Sequence, residues 1–337
     1  MPTREVKGAI HVHSDYSDGS GTVGEIVSAA ERAGIDFVIL TDHDTRDAAR
    51  DGLAGRHGKV LVVVGTEVSP SHGGHCLSLG EVDVRGYRWM PERYYLDKLR
   101  RDGADVYIAH PEGRVKPTFG IRLREWHVWE NERFDGMEIW SYMHDWIENL
   151  NVFNMPWYYL RPDKAIDGPS ERILGLWDRL NMHRRVSGIG ALDAHAVRML
   201  WGAFVAFEYE KLFKTILTHV MVEEWGESDE ADTQSLREAL RLGRAYAAYH
   251  ERAAGDGFRF YSDGGHEMGD RGEWREGVRL FAETGTQGEI SFVHNGRKIS
   301  ESTGQEACIE ARERGVYRVE VRIGGRAWIY SNPIFLG

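Results

Sequence analysis

Seven short, largely apolar runs constrain this chain more than anything else in it. They are Ala9 to Val12, Phe37 to Leu40, Val60 to Val64, Leu77 to Gly80, Val106 to Ala109, Met137 to Trp140 and Ser187 to Ala191. Strands apolar on both faces belong to parallel sheets covered by helices. The segments between them agree. Thr22 to Ala33 has helical spacing, with Thr22 as N-cap and Glu25 three residues on, and Asp47 to Arg56 reads as a second helical stretch. Strands alternating with helices predict parallel βα units arranged as a barrel.

The ends of these runs carry the chemistry. His11-Val12-His13 closes the first, and residues i and i+2 of a strand share a face, so both rings can reach one metal ion. Asp18, in the turn Asp18-Gly19-Ser20, adds a carboxylate. Thr41-Asp42-His43-Asp44 follows the second run, and Gly65-Thr66-Glu67 the third, where Glu67 could bridge two ions. His110-Pro111-Glu112-Gly113 and Asp193-Ala194-His195 follow later runs, the last repeating the i, i+2 geometry. Folds of βα units build their active sites at this end of the sheet. Taken singly each cluster has a plainer reading, Asp18 as a turn cap for example. Five clusters at the same structural position do not share one.

The region from Asp145 to Arg184 breaks the rhythm with Trp146, Phe153, Trp157, Tyr158, Tyr159 and Trp177 among three prolines. It reads as an insertion, either a long loop packed on its own side chains or a lid or pocket wall for an apolar group. A helix over Gln234 to Gly243 follows. From about Gly255 the strand-like runs Phe258 to Tyr261, Val278 to Ala282, Glu289 to His294, Gly315 to Ile323 and Trp328 to Tyr330 have Gly-rich turns and no helices between them. That pattern predicts a small antiparallel β-sandwich. The expected division is residues 1–254 and 255–337, a length suited to one large catalytic domain with an appendage.

With 42 Lys and Arg against 53 Asp and Glu the net charge is -11, which speaks against binding along an extended nucleic acid but leaves a small nucleotide open. No apolar run approaches the roughly 18 residues of a membrane span, and the N-terminus enters a strand without a signal-type segment, so no membrane partner and a cytoplasmic location are expected. Cys76 and Cys308 read as two core thiols.

In order, HVH, DGS, TDHD, GTE, AHP and DAH resemble the motif series of the polymerase and histidinol phosphatase (PHP) superfamily of metal-dependent hydrolases, over about residues 8–250. The C-terminal GVYRVEVRIGGRAWIYSNPIFLG is similar to the C-terminal module of its CehA/McbA branch, named for a carbaryl hydrolase. The resemblance implies a distorted (β/α)7 barrel with two or three divalent ions at its rim. Carried over residue by residue, it makes His11, His13, Asp18, His43, Glu67, His110, Asp193 and His195 the metal ligands. His144 is the candidate for a further position between the HP and DxH motifs. His75 lies where related members carry a histidine, as a metal or substrate contact or as loop packing.

Imidazoles and carboxylates without thiolates suit Zn, Mn or Fe, and a bridging glutamate implies at least two ions. Paired ions acidify a shared water and stabilise charge on attacking and leaving oxygens, which implies hydrolysis by a metal-bridging hydroxide with no covalent enzyme intermediate. Asp193, beside His195, is the first choice to take the proton, and Asp18 the second. Arg46, Arg114 and Arg198 follow three of the clusters, and their forks suit phosphate oxygens, although each alone reads more simply as solvent-facing. The expected activity is therefore phosphoester hydrolysis on a small molecule. The alternative is a carboxylic ester, carbamate or amide, favoured by the tail and by the aromatics between Trp140 and Trp157. A binding module working through the sandwich is the reading of a different class, and the intact ligand set speaks against it.

Overall fold

The computed structural model describes residues 3–116, 121–199 and 204–337. Arg4–Val12 (β1) runs parallel to Phe37–Leu40 (β2), which runs parallel to Val60–Val64 (β3). The crossover from β1 to β2 is the helix Val23–Ala33. Thr22 accepts from Glu25 N while the Glu25 carboxylate accepts from Thr22 N, and Gly34 ends the helix at φ 71°. Its apolar stripe, Val23, Ile26, Val27, Ala29 and Ala30, is buried. The second helical stretch is shorter than its spacing predicts. Only Asp47–Arg50 is helical, because Gly52 and Gly55 take positive φ and turn the chain into a short strand, Gly55–His57, antiparallel to β3.

A second sheet holds Thr66–Val68 (β4), Cys76–Leu79 (β5), Asp105–Ile108 (β6), Gly136–Ser141 (β7) and Ser187–Ala191 (β8), in the order β8-β7-β6-β5-β4. It is not all parallel: β5 is antiparallel to both neighbours. Only residues 69–75 join β4 to β5, too few for the crossover a parallel pair needs. The first sheet also extends beyond β1 through two strands absent from the sequence reading, Ile216–Val222 (β9) and Ala245–Tyr249 (β10), each antiparallel to its neighbour.

The two sheets do not close into a ladder-bonded barrel among the described residues. They are pinned by single parallel bridges, Val12 with Ala194 and His43 with Glu67. Below the first pin, the Thr218 hydroxyl replaces a ladder, accepting from Gly190 N at 2.9 Å and donating to Gly190 O at 2.7 Å. A side chain at Gly190 would collide with Ile216 and Ala247, so β8 lies against β9 and β10 rather than pairing with them. Both pins fall at the ends of strands that carry the histidines and carboxylates.

The C-terminal strands are Arg259–Ser262 (β11), Arg279–His294 (β12), Arg297–Glu310 (β13), Gly315–Ile323 (β14), Arg326–Ser331 (β15) and Ile334–Leu336 (β16). They build a separate core around Phe260, Leu280, Phe292, Val319 and Trp328. Their sheet is continuous with the first one, since β15 pairs with β10. The insertion is not a long loop: it contains helices Tyr142–Asn149, Met155–Leu160 and Glu171–His183. From the last of these, Asp178 takes a buried two-pronged contact from Arg318 of β14, at 2.6 and 2.8 Å. The two thiols are not both in the core: Cys76 is buried, but Cys308 is exposed on β13. No described helix is long and apolar enough to cross a membrane.

Candidate metal centre

Simple strand alternation does not bring His11 and His13 together. The register of β1 against β2 shifts between Ile10 and Val12, and His11 lies at φ 67°, so a bulge turns its ring. The two ring centroids end 5.0 Å apart. His110 (φ 27°) and Asp193 (φ 55°) share this left-handed backbone. Such geometry costs a non-glycine residue on the order of 1–3 kcal/mol and persists where the surroundings over-determine it. Here the determinants are Ala194 N on His11 O at 3.1 Å, His13 N on Ala194 O at 2.9 Å and His110 N on the Glu138 carboxylate at 2.8 Å. A side chain at Gly19 would strike the His13 backbone, which accounts for glycine in the turn that carries Asp18.

Donor atoms converge in three groups, within 4.8 Å of one another in each: His13, Asp18, His43 and His195; His11, His13, Glu67 and Asp193; Glu67, His75 and His110. His13 and Glu67 are shared, so the groups form one array. In the middle group, His11 Nε2 stands 3.2 Å from both Glu67 Oε2 and Asp193 Oδ1, and His13 Nε2 stands 3.4 and 3.3 Å from the same oxygens. Asp18 faces His43 Nε2 at 3.5 Å and His195 Nε2 at 3.2 Å. Glu67 Oε1 faces His75 Nδ1 at 2.7 Å and His110 Nε2 at 3.1 Å.

All eight ligands implied by the resemblance are thus brought together, and His75 joins them. His144 does not: its Nε2 meets Gly113 O at 3.1 Å. Arg46 directs Nε to Val64 O and lines another cavity with Gly80 and Glu81. The side chains of Arg114 and Arg198 lie outside the described residues.

The array fits divalent cations. Among the described residues, His11 Nε2, both ring nitrogens of His13, His110 Nδ1 and Glu67 Oε2 are buried without a partner in hydrogen-bond geometry. Buried polar atoms are normally satisfied, and so many open donor positions of imidazole and carboxylate type in one space match what Zn, Mn or Fe would take. The charges lock together in the same way. Burial opposes the charge on His11, but Asp193, Glu138 and Glu67 hold it well above the usual imidazole range. Burial pulls Glu67 and Asp193 upward, yet His11 and the neighbouring imidazoles hold both well below the carboxylate range. Burial and the adjacent charges of His195 and His11 push His13 down to about 4. His195, against the effect of burial, is raised to about 9 by Asp18 and Asp193.

Three supporting roles escape the sequence reading, which has Asp42 only as a member of Thr41-Asp42-His43-Asp44. Glu138 Oε1 lies 2.5 Å from His11 Nδ1. Asp42 accepts from Ser14 N at 2.8 Å, Ser14 Oγ at 2.7 Å and Ser17 Oγ at 2.6 Å, fixing the loop between His13 and Asp18. Ser69 Oγ lies 2.6 Å from His43 Nδ1. A signal for Glu138 exists: a carboxylate inside the apolar run Met137 to Trp140 is expensive to bury without a partner.

Residues 9–132 match the PHP domain family, a span that includes HVH to AHP and ends before Asp193 and His195. The chain is 26% identical over 163 residues to the uncharacterized protein MJ1587 of Methanocaldococcus jannaschii, covering 44% of this chain and 90% of that one. Among solved structures it is similar to a two-domain protein of Bacteroides vulgatus containing a predicted PHP-like metal-dependent phosphoesterase. That similarity has 16% identity, covers 98% of this chain and 95% of that one, and has a TM-score of 0.46. It is also similar to PsfC from Pseudomonas syringae, with 11% identity, 70% and 90% coverage and a TM-score of 0.41. A third similarity is to an amidohydrolase from Chromobacterium violaceum, with 15% identity, 56% and 87% coverage and a TM-score of 0.33.

Proposed function

We propose that this chain is a metal-dependent hydrolase of small molecules, with a multinuclear centre and phosphoesters as its first substrate class. The observation that carries the reading is the sharing of His13 and Glu67 between donor groups in which five buried atoms lack a hydrogen-bond partner among the described residues. The PHP match over residues 9–132 supports it. Two or three ions of Zn, Mn or Fe would be held by the three groups. When bound, they supply a water acidified towards neutrality and positive charge beside the reacting centre.

The remaining work falls to the chain. Asp193, in the buried middle group, is placed to accept the proton of the attacking water. Asp18, more exposed and facing His195 at 3.2 Å, is the second choice for that acceptor. Glu138 orients His11 and the His110 loop. In this reading residues 1–254 form the catalytic unit and 255–337 a sandwich of the CehA/McbA kind. The enzyme works in the cytoplasm without binding extended nucleic acid.

A carboxylic ester, carbamate or amide is the second reading. It is favoured by the exposed Phe153, Trp157 and Leu160, which could meet an aromatic leaving group. A test is a panel of p-nitrophenyl phosphate, bis-p-nitrophenyl phosphate and p-nitrophenyl acetate with protein reconstituted with each metal. Phosphoester turnover supports the first reading. Hydrolysis confined to the acetate replaces it with the second, and no turnover by metal-loaded protein removes both.

A further inference from the structure

His110 and Glu138, which face Glu67 and His11, also line a cavity of about 370 Å³. Trp140, Ser141 and the insertion form part of its wall, and Arg322 and Tyr330 reach it from the C-terminal strands. Its polar lining is acidic, with Glu112, Asp145, Asp167 and Glu171. For three of these carboxylates the hydrogen-bond donors are neutral. Ser170 Oγ donates to Glu112 at 2.7 Å, Trp140 Nε1 and Gly168 N donate to Asp145 at 3.1 and 2.9 Å, and Asn149 Nδ2 donates to Asp167 at 3.1 Å. Among the described residues, Arg322 is the one Lys or Arg in the lining. A separate observation points to a ligand: Ser141, 7% exposed, has a buried hydroxyl without a partner among the described residues.

We propose that this cavity is the subsite for the organic half of the substrate and that it selects a group carrying a protonated amine. The inference rests on the hydrolase reading above. A partly enclosed space whose described lining holds several carboxylates against one Arg attracts a cation and repels an anion. The open lone pairs of Ser141 Oγ can accept an N–H, and Trp140 gives an apolar stem a surface. Arg322 acts in the opposite sense, so the C-terminal strands set the strength of the preference.

The test uses metal-reconstituted protein and a matched series: 4-aminobutyl phosphate, butyl phosphate and the 4-carboxy counterpart. The expected order of kcat/KM is ammonium, neutral, carboxylate, with about tenfold between the first two, equivalent to roughly 1.4 kcal/mol. The paired variant Asp167→Asn with Glu171→Gln should bring the ammonium-to-neutral ratio towards one, and Arg322→Gln should raise it. Equal values for all three esters overturn the amine subsite while the hydrolase reading stands. If no ester of this series is turned over, the phosphomonoester form of the hydrolase reading has failed. The cavity is then decided by calorimetry of butylammonium with the metal-free chain, which should bind the wild type about tenfold more tightly than the paired variant. Absence of that difference overturns the subsite as well.

Discussion

Glu138 Oε1 lies 2.5 Å from Nδ1 of His11, across 127 positions of sequence, while its other oxygen accepts His110 N at 2.8 Å. One carboxylate thus fixes two members of the donor array. Replacing Glu138 with Gln leaves an oxygen for one of these contacts and an NH2 that cannot accept the other. Residues that orient metal ligands in this way change affinity by about 10–100-fold. Glu138→Gln should therefore lose metal to a competing chelator at correspondingly lower chelator concentration. An unchanged affinity would remove Glu138 from the positioning role.

His43 and Asp193 contribute to different donor groups. His43→Ala and Asp193→Ala should each lower turnover by about 10²–10⁴-fold, the range associated with losing a positioned proton acceptor or equivalent group. Far-ultraviolet circular dichroism should stay unchanged, since both residues lie beyond the strands that precede them. Removal of metal from the wild type should lower the thermal midpoint, because a ligand that binds only the folded chain at about 1,000 times its Kd contributes roughly 4 kcal/mol. Wild-type turnover in both variants would mean that the array is not the active site.

What is legible in the sequence is what local chemistry decides. Thr22 and Glu25 form a capping box from four adjacent residues, and the runs Phe37–Leu40 and Val60–Val64 are strands because nothing polar interrupts them. The donor residues are legible for a related reason: each follows a strand closely, and the fold gathers strand ends. The bulge at His11 is not legible, since it comes from pairing with β2 and Ala194, remote in sequence. Nor is β13, whose side chains are exposed or half-buried throughout and so lack an apolar alternation. The insertion misleads through its prolines. Pro169 lies just before Ser170, the cap of the helix Glu171–His183, and so ends a loop rather than marking one.

The contact between Arg318 and Asp178 joins the C-terminal sheet to the insertion. Arg318 also donates to Glu320 Oε1 at 2.6 Å, so one buried guanidinium serves two carboxylates. Burial works against the charge of Arg318, and the two carboxylates hold its pKa above the usual guanidinium range. Arg318→Ala strands both carboxylates, and breaking a buried pair by removing one partner costs about 3–5 kcal/mol. Urea unfolding should show that loss. Arg318→Met combined with Asp178→Leu and Glu320→Gln should recover most of it, because the isolated charges are gone. A loss below about 1 kcal/mol for Arg318→Ala, the range of exposed pairs, would show that solvent reaches the contact.

His219 and His250 meet through their Nε2 atoms at 2.7 Å, with rings parallel to within 8°. The far nitrogen of His219 faces Glu5 Oε1 at 2.6 Å, and Tyr246, Lys7 and Asp256 complete the surroundings. One proton fits between the two Nε2 atoms; a second would set two N–H groups head to head. Burial, followed by the charge of His219, pushes His250 down to about 4. Because its unfolded value is about 6.5, the neutral ring stabilises the fold fully above that pH, and the contribution is lost as pH falls through about 4. The shift corresponds to a loss on the order of 3 kcal/mol over the interval. For metal-free protein, urea unfolding at pH 7.5 and 4.5 should therefore show a smaller acid loss in His250→Asn than in the wild type, by about 2–3 kcal/mol. Parallel losses in the two proteins would show that the pair already carries its second proton, or stands open to water, in the folded state.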